Sequence, residues 1–186
     1  MYNERAYQLG SKRSTIREIF EYAKKRGAEI GEENVFDFSI GNPSVPAPKQ
    51  VNESICRIVN EMPSVLLHGY TSAQGDKQVR DEIAKNYSKR FGVALSGDDL
   101  YMTCGAAASL TITCKALVEG GDEIIVFAPF FPEYRVFVEN TGAKLVVLPS
   151  DERTMLPDFN ALKNALNPRV KGVIINSPNN PSGVVY

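Results

Sequence analysis

From Leu100 onward the chain alternates short apolar runs with amphipathic ones, and this alternation restricts its fold more than any other feature. Strands are expected at residues 100–103, 123–127, 144–148 and 170–175, and helices at 106–118, 133–140 and 158–166. Strand and helix taking turns gives an α/β fold, a mainly parallel sheet covered by helices. The run from Val170 to Ile175, bounded by turn residues, reads as a parallel strand buried on both faces. Open sheets of this kind bind ligands at the carboxyl ends of their strands, so the loops that follow the strands are the places to look for chemistry.

The first ninety residues carry a different pattern, helical and loop-rich, with the look of an arm and part of a second lobe. Thr15 to Glu18 has the spacing of a capping box, and Ile16, Ile19, Phe20 and Ala23 form an apolar stripe, which predicts a helix over 15–26 after a flexible arm. Val35 to Phe38 is a short strand candidate. The proline-rich stretch from Gly41 to Pro48 excludes regular structure, and Pro48 is placed to begin a helix through Val51, Ile55, Ile58 and Val59. Residues 63–75 read as irregular. Asp76 then caps an amphipathic helix in which Val79, Ile83, Tyr87 and Phe91 recur every four residues.

A chain of 186 residues with 43% hydrophobic content is long enough to bury roughly 70% of its unfolded surface. Its net charge of -1, without a basic stripe or charge block, argues against nucleic acid and anionic membranes as direct partners. The N-terminus lacks an apolar signal segment and no apolar run approaches the length of a membrane span, so a cytoplasmic location is expected. Cys56, Cys104 and Cys114 form no C-x-x-C pair and His68 is the single histidine, which speaks against a zinc site or a disulfide framework.

Three loops have the composition of a ligand site. Between the strand at 100–103 and the next helix, Gly105, Ala106 and Ala107 leave backbone N–H groups free at a helix N-terminus, where an anion binds readily. Small residues there let a flat ligand approach the backbone. The spacing is neither G-x-G-x-x-G nor a P-loop, so dinucleotide and nucleoside-triphosphate readings lack their fingerprint. After the next strand, Ala128-Pro-Phe-Phe-Pro-Glu-Tyr134 places two aromatic rings between prolines. After the last strand, Asn176-Ser-Pro-Asn-Asn-Pro-Ser-Gly183 holds Asn180 between fixed and turn-forming residues, with its amide aimed out of the sheet edge.

The Asn-Asn-Pro-Ser-Gly segment resembles the Asn-Pro-Thr/Ser-Gly signature of the class I/II aminotransferases, the fold-type-I pyridoxal-phosphate enzymes related to aspartate aminotransferase. The resemblance runs from about Arg13 to Tyr186, with the motifs in order. It implies that residues 1–34 are an arm and the start of the small lobe, and that 35–186 are the N-terminal part of the pyridoxal-phosphate-binding large domain. It further implies that Gly105, Ala106 and Ala107 cradle the cofactor phosphate, Phe131 stacks on the pyridine ring, and Asn180 donates to the phenolic oxygen and helps position the substrate carboxylate. The His68-Gly-Tyr70 segment with Gly75 resembles one whose tyrosine reaches the partner's cofactor phosphate, so the resemblance implies a homodimer. Ile40 and Gly41, in Ile40-Gly41-Asn-Pro43, match the loop beside the substrate. Phe131 stands where aspartate-specific members often have tryptophan.

By the same resemblance, no catalytic residue is expected in this chain. The lysine that forms the internal Schiff base is expected downstream of Tyr186, and Lys89, in the nearest local imitation of its setting, falls on a solvated helix face. The aspartate facing the pyridinium nitrogen and the arginine gripping the substrate carboxylate are also expected outside these residues. The expectation is therefore an aminotransferase acting on an α-amino acid and a 2-oxo acid, of aspartate-type or broad specificity, present as an N-terminal portion and inactive alone. A carbon–sulfur lyase of the same fold and a non-catalytic, aminotransferase-like ligand-binding module are the alternatives.

Overall fold

The computed structural model of the chain describes residues 2–11, 15–41, 43 and 45–186. They gather into two units, Met1–Tyr70 and Thr71–Tyr186. The first unit contains helices α1 (Glu4–Ser11), α2 (Thr15–Ile30), α3 (Lys49–Glu61) and α4 (Ser64–Leu67). The segment before residue 15 thus contains a helix where an irregular arm was expected: the Asn3 side chain accepts from the Ala6 N–H (3.1 Å) and starts it. Helix α2 runs four residues past its expected end at 26. Its last residue precedes Gly31, whose φ of 94° turns the chain. Residues 35–38 do not form a strand. Phe36 and Phe38 are exposed with no neighbouring ladder, and the Asp37 carboxylate accepts from the Ser39 N–H (2.8 Å) in a local turn. Gly27 is the only buried residue among those described in this unit, so its amphipathic helices carry open apolar faces.

The second unit has the core. Its elements are α5 (Lys77–Phe91), α6 (Ala106–Leu117), β1 (Glu123–Phe127), α7 (Glu133–Glu139), β2 (Lys144–Leu148), α8 (Phe159–Ala165) and β3 (Val170–Val173). The strands form one parallel sheet in the order β2-β1-β3, with Glu123 to Phe127 paired against Lys144 to Leu148. Central β1 is buried throughout. Its alternation sorts the core: Ile124 and Val126 join Cys114, Val118, Tyr134, Val138, Ala143 and Leu145 on one face, under α6 and α7. Ile125 and Phe127 join Leu148 on the other, against Leu162 and Ala165 of α8.

Three expectations change here. Strand β3 is not buried on both faces. It pairs with β1 alone and is an edge, so its residues alternate between half-buried and exposed, and its ladder shifts register between Glu123 and Ile124. It ends at Val173, with one further ladder bond from the Ile174 N–H to the Ile125 carbonyl (2.9 Å). Residues 100–103 pair with none of the three strands and are tied instead by the Met102 N–H to the Gln74 carbonyl (2.9 Å). In α5, Asp76 caps as expected by accepting from the Val79 N–H (3.0 Å), and the helix ends at Gly92 in the left-handed region. Yet Val79, Tyr87 and Phe91 are exposed, and the face turned inward holds Arg80 and Ala84.

Candidate functional site

Helix α6 begins abruptly. Gly105 at its N-cap has a φ of 89° and offers no side-chain cap, so the first-turn amides of Ala106, Ala107 and Ala108 are left without an intrahelical acceptor. A Cβ on Gly105 would meet nothing within 4 Å, so the approach to these amides is open. The first turn carries no acidic residue to neutralise the positive helix end. Hydroxyls fix the turn from behind. The Thr103 Oγ1 donates to the Gly105 carbonyl (3.0 Å) and lies 2.6 Å from the Ser109 Oγ, while the Ser109 N–H returns to the Gly105 carbonyl (3.2 Å).

Helix α6 leads back into the start of β1, so its N-terminus lies toward the carboxyl end of the sheet. Leu110, one turn into α6, packs on the same apolar cluster as Phe130 and Phe131. Phe131 is half-buried, and its ring meets the Tyr134 ring edge-on, with centroids 5.6 Å apart and planes at 80°. Burial of Tyr134 pushes its phenol pKa up, and burial does the same to the Cys114 thiol, so both are neutral packing groups near neutral pH.

The loop after β3 is held almost entirely by its own polar groups. The Asn180 N–H donates to the Asn176 Oδ1 (2.8 Å), the Asn179 N–H to the Val184 carbonyl (2.8 Å), and the Gly183 N–H to the Asn179 carbonyl (2.7 Å). Gly183 accommodates this return with a φ of 73°. Asn179 is buried, and its side-chain amide donates to the Ser182 Oγ (2.9 Å) and, across fifty residues of sequence, to the Pro129 carbonyl (3.0 Å). The Asn180 side chain is exposed and makes no hydrogen bond among the described residues, which leaves its donor and acceptor for a ligand.

Of the residues singled out in the sequence, the structure joins the Phe131 and Asn180 loops directly through the Asn179–Pro129 bond. Gly105, Ala106 and Ala107 connect to them through the α6 core rather than by a bond. Tyr70, Ile40 and Gly41 are exposed residues of the first unit, and Asn42 lies outside the described residues. Asn179, Ser182, Thr103 and Arg80 were not found from the sequence. Ser182 has a local signal, since a hydroxyl two residues before Val184 can accept its N–H (3.4 Å here). Asn179 has none, because its main partner is remote.

Parallel strands whose carboxyl-end loops carry the ligand-facing groups are the arrangement of the large domain in fold-type-I aminotransferases. The chain belongs to the aminotransferase class I and II family, whose model it matches over residues 33–186. It is 33% identical to an aspartate aminotransferase of Pyrococcus horikoshii over 92% of this chain and 42% of that protein. It is also 33% identical to an LL-diaminopimelate aminotransferase of Dehalococcoides mccartyi, over 88% of this chain and 41% of that one. An amino transferase crystal structure from Eubacterium rectale superposes on all of this chain and 47% of its own, with a TM-score of 0.95 and 56% identity. Aspartate aminotransferase from Thermotoga maritima gives a TM-score of 0.86 at 30% identity, again over all of this chain and 48% of its own. The chain therefore spans under half the length of these relatives. Members of the family are pyridoxal-phosphate enzymes.

Proposed function

We propose that this chain is the cofactor-holding part of a pyridoxal-phosphate-dependent aminotransferase that moves an amino group between an α-amino acid and a 2-oxo acid, with aspartate-type or broad specificity. The observation that carries the reading is the bonded pair of loops after β1 and β3, which places an aromatic platform and an unpartnered amide at one end of the sheet. The groups fit the cofactor in kind. The open, uncapped start of α6 suits a phosphate dianion, with the amides of Ala106 and Ala107 as donors, while the Gly105 N–H is taken by the Thr103 carbonyl (2.8 Å) and Gly105 contributes the absence of a side chain. Phe131 offers a ring face for stacking without the donor that tryptophan would add. Asn180 would donate to the phenolic oxygen, worth about 1.5–3 kcal/mol for a charged acceptor. Pyridoxal phosphate held there supplies an electron sink for the bonds at the substrate Cα.

Ile40 and Gly41 are assigned to the substrate side and Tyr70 to a partner's phosphate in a homodimer, in keeping with the full exposure of Tyr70. The division into an arm and partial small lobe, residues 1–34, and a large-domain part, 35–186, belongs to the same proposal; the two structural units divide instead between Tyr70 and Thr71. A cytoplasmic location accords with three free cysteines, which a reducing compartment preserves. Among the described residues, no helix is long and apolar enough to cross a membrane.

None of the eleven lysines lies in residues 103–107, 128–134 or 176–183, so the proton transfer at Cα lacks its base here and the 186-residue chain alone is read as inactive. Borohydride reduction with pyridoxal phosphate, followed by peptide mass mapping, is expected to label no single lysine stoichiometrically. One stoichiometric lysine would overturn the assignment. For the whole enzyme, equimolar new amino acid and 2-oxo acid support transamination, whereas ammonia and pyruvate would mark the carbon–sulfur lyase.

A further inference from the structure

Arg80, Glu123 and Asn179 are the buried polar or charged residues among those described. Arg80 lies under the chain leading to α6, and Glu123 at the amino edge of the sheet is answered by Arg169 (3.2 Å) and Asn167 (2.9 Å). Asn179 alone sits between two loops assigned to the ligand. We infer that Asn179 is a positioning residue: its amide sets the separation between the ring-stacking loop and the ring-oxygen loop, so that Phe131 and Asn180 meet one planar ligand together. The inference rests on the reading that both loops hold the same cofactor ring.

Neighbouring asparagines divide the work. Asn179 is 6% exposed and has no donor left for a ligand: both side-chain N–H groups and the backbone N–H are engaged within the protein, and the backbone carbonyl accepts from Gly183. Asn180 has its backbone fixed to Asn176 and its side chain unpartnered. Pro129 lies two residues before Phe131, and Asn179 one residue before Asn180. A single 3.0 Å bond therefore links the supports of both contact groups over a very short path. The Pro129 carbonyl can only accept, so the side chain at 179 must donate to it; the Ser182 Oγ, which takes the Val184 N–H (3.4 Å), accepts the other Asn179 N–H with its second lone pair. An isosteric carboxylate would face the carbonyl oxygen with no proton to offer, and alanine would leave that carbonyl without this donor.

The test measures two affinities in the same chain: for pyridoxal phosphate, followed by ring absorbance, and for inorganic phosphate, followed by the amide resonances of Ala106 and Ala107. Asn179→Ala and Asn179→Asp are expected to weaken pyridoxal phosphate about tenfold or more, the scale of one lost hydrogen bond to a buried acceptor. Phosphate binding should stay within about twofold, because the α6 cradle is fixed by Thr103 and Ser109 instead. Asn179→Ser, which restores one donor, should fall between. Equal loss of both affinities in step with thermal stability would make Asn179 a merely structural residue and overturn the inference, as would unchanged affinity for both. Unfolding of the alanine and serine variants alike would overturn it too. The underlying reading fails separately: the unaltered chain would then bind phosphate and pyridoxal phosphate equally, or Asn180→Ala would leave ring affinity untouched.

Discussion

Replacing Arg80 by alanine removes the one cation enclosed in the second unit, and its cost follows from what the guanidinium holds. Arg80 is 4% exposed. One terminal nitrogen donates to the Gly97 carbonyl and the Nε to the Gly75 carbonyl (3.3 Å), pinning the turn before α5 to the short 3-10 turn at Gly97–Asp99. Each carbonyl keeps another donor, the Leu100 N–H (3.3 Å) for Gly97 and the Ser72 hydroxyl (2.5 Å) for Gly75, so neither is stranded. Each lost bond then costs about 1 kcal/mol rather than the full desolvation penalty. Two buried methylenes of the stem add about 0.8 kcal/mol each. The 3.7 Å pair with Asp98 adds little, because that carboxylate is 80% exposed. The total is about 3–4 kcal/mol, a fall in Tm of about 10 °C or more for a unit of this size.

Urea unfolding followed by circular dichroism reads that loss directly. Arg80→Lys should recover more than half of it, keeping the stem and one bond. The neighbouring bond from the Met102 N–H to the Gln74 carbonyl transmits the loosening toward Thr103 and Gly105, so phosphate affinity should drop as well. A loss under about 1 kcal/mol for Arg80→Ala, or a lysine variant as unstable as the alanine one, would refute the reasoning.

Gly105→Val should abolish phosphate binding detectable by amide shifts at Ala106 and Ala107 and cost about 1–2 kcal/mol, since a φ of 89° is hostile to any branched residue although the space around it is open. Ile125→Ala, at a position with no exposed surface, should destabilise the unit by about 2–5 kcal/mol in the same urea assay. The Asp151 carboxylate is held below its ordinary 3.8 by the Thr154 N–H, the Thr154 hydroxyl and the Arg153 N–H. With the folded value depressed, this turn is fully stabilised above pH 3.8 and loses that support as pH falls through the lowered pKa, seen as faster amide exchange at Thr154 relative to the core strands.

Where local chemistry decides, the sequence was readable. Glu123–Phe127 and Lys144–Leu148 follow a glycine or a short turn, are rich in β-branched and leucine residues, and form strands with the expected bounds. Asp76 caps the helix it precedes, as read from the sequence, because an N-cap acts within three residues; Asp158, expected as the first helical residue, is instead the cap of α8. Residues 35–38 and 100–103 have strand composition but lack a ladder, and ladder partners are a tertiary property that no local window contains. The apolar stripe of α5 was legible as a helix signal but not as a buried face: periodicity identifies the helix, whereas burial depends on what packs there, and Arg80 took that side. At the site, Gly105 and Asn180 stood out through backbone freedom and turn chemistry. Asn179 did not, since a tandem asparagine gives no hint which amide reaches a carbonyl fifty residues away.

The central claim is that the start of α6 and the loops after β1 and β3 act on one flat, phosphorylated ligand. Titrating the isotopically labelled chain with pyridoxal phosphate, and separately with inorganic phosphate, tests it by backbone and side-chain amide resonances. The account predicts that phosphate moves only Gly105, Ala106 and Ala107, whereas pyridoxal phosphate moves these together with Phe131 and the Asn180 side chain along a single binding curve. Shifts confined to one of the three loops, or curves that saturate at different concentrations for different loops, would contradict it.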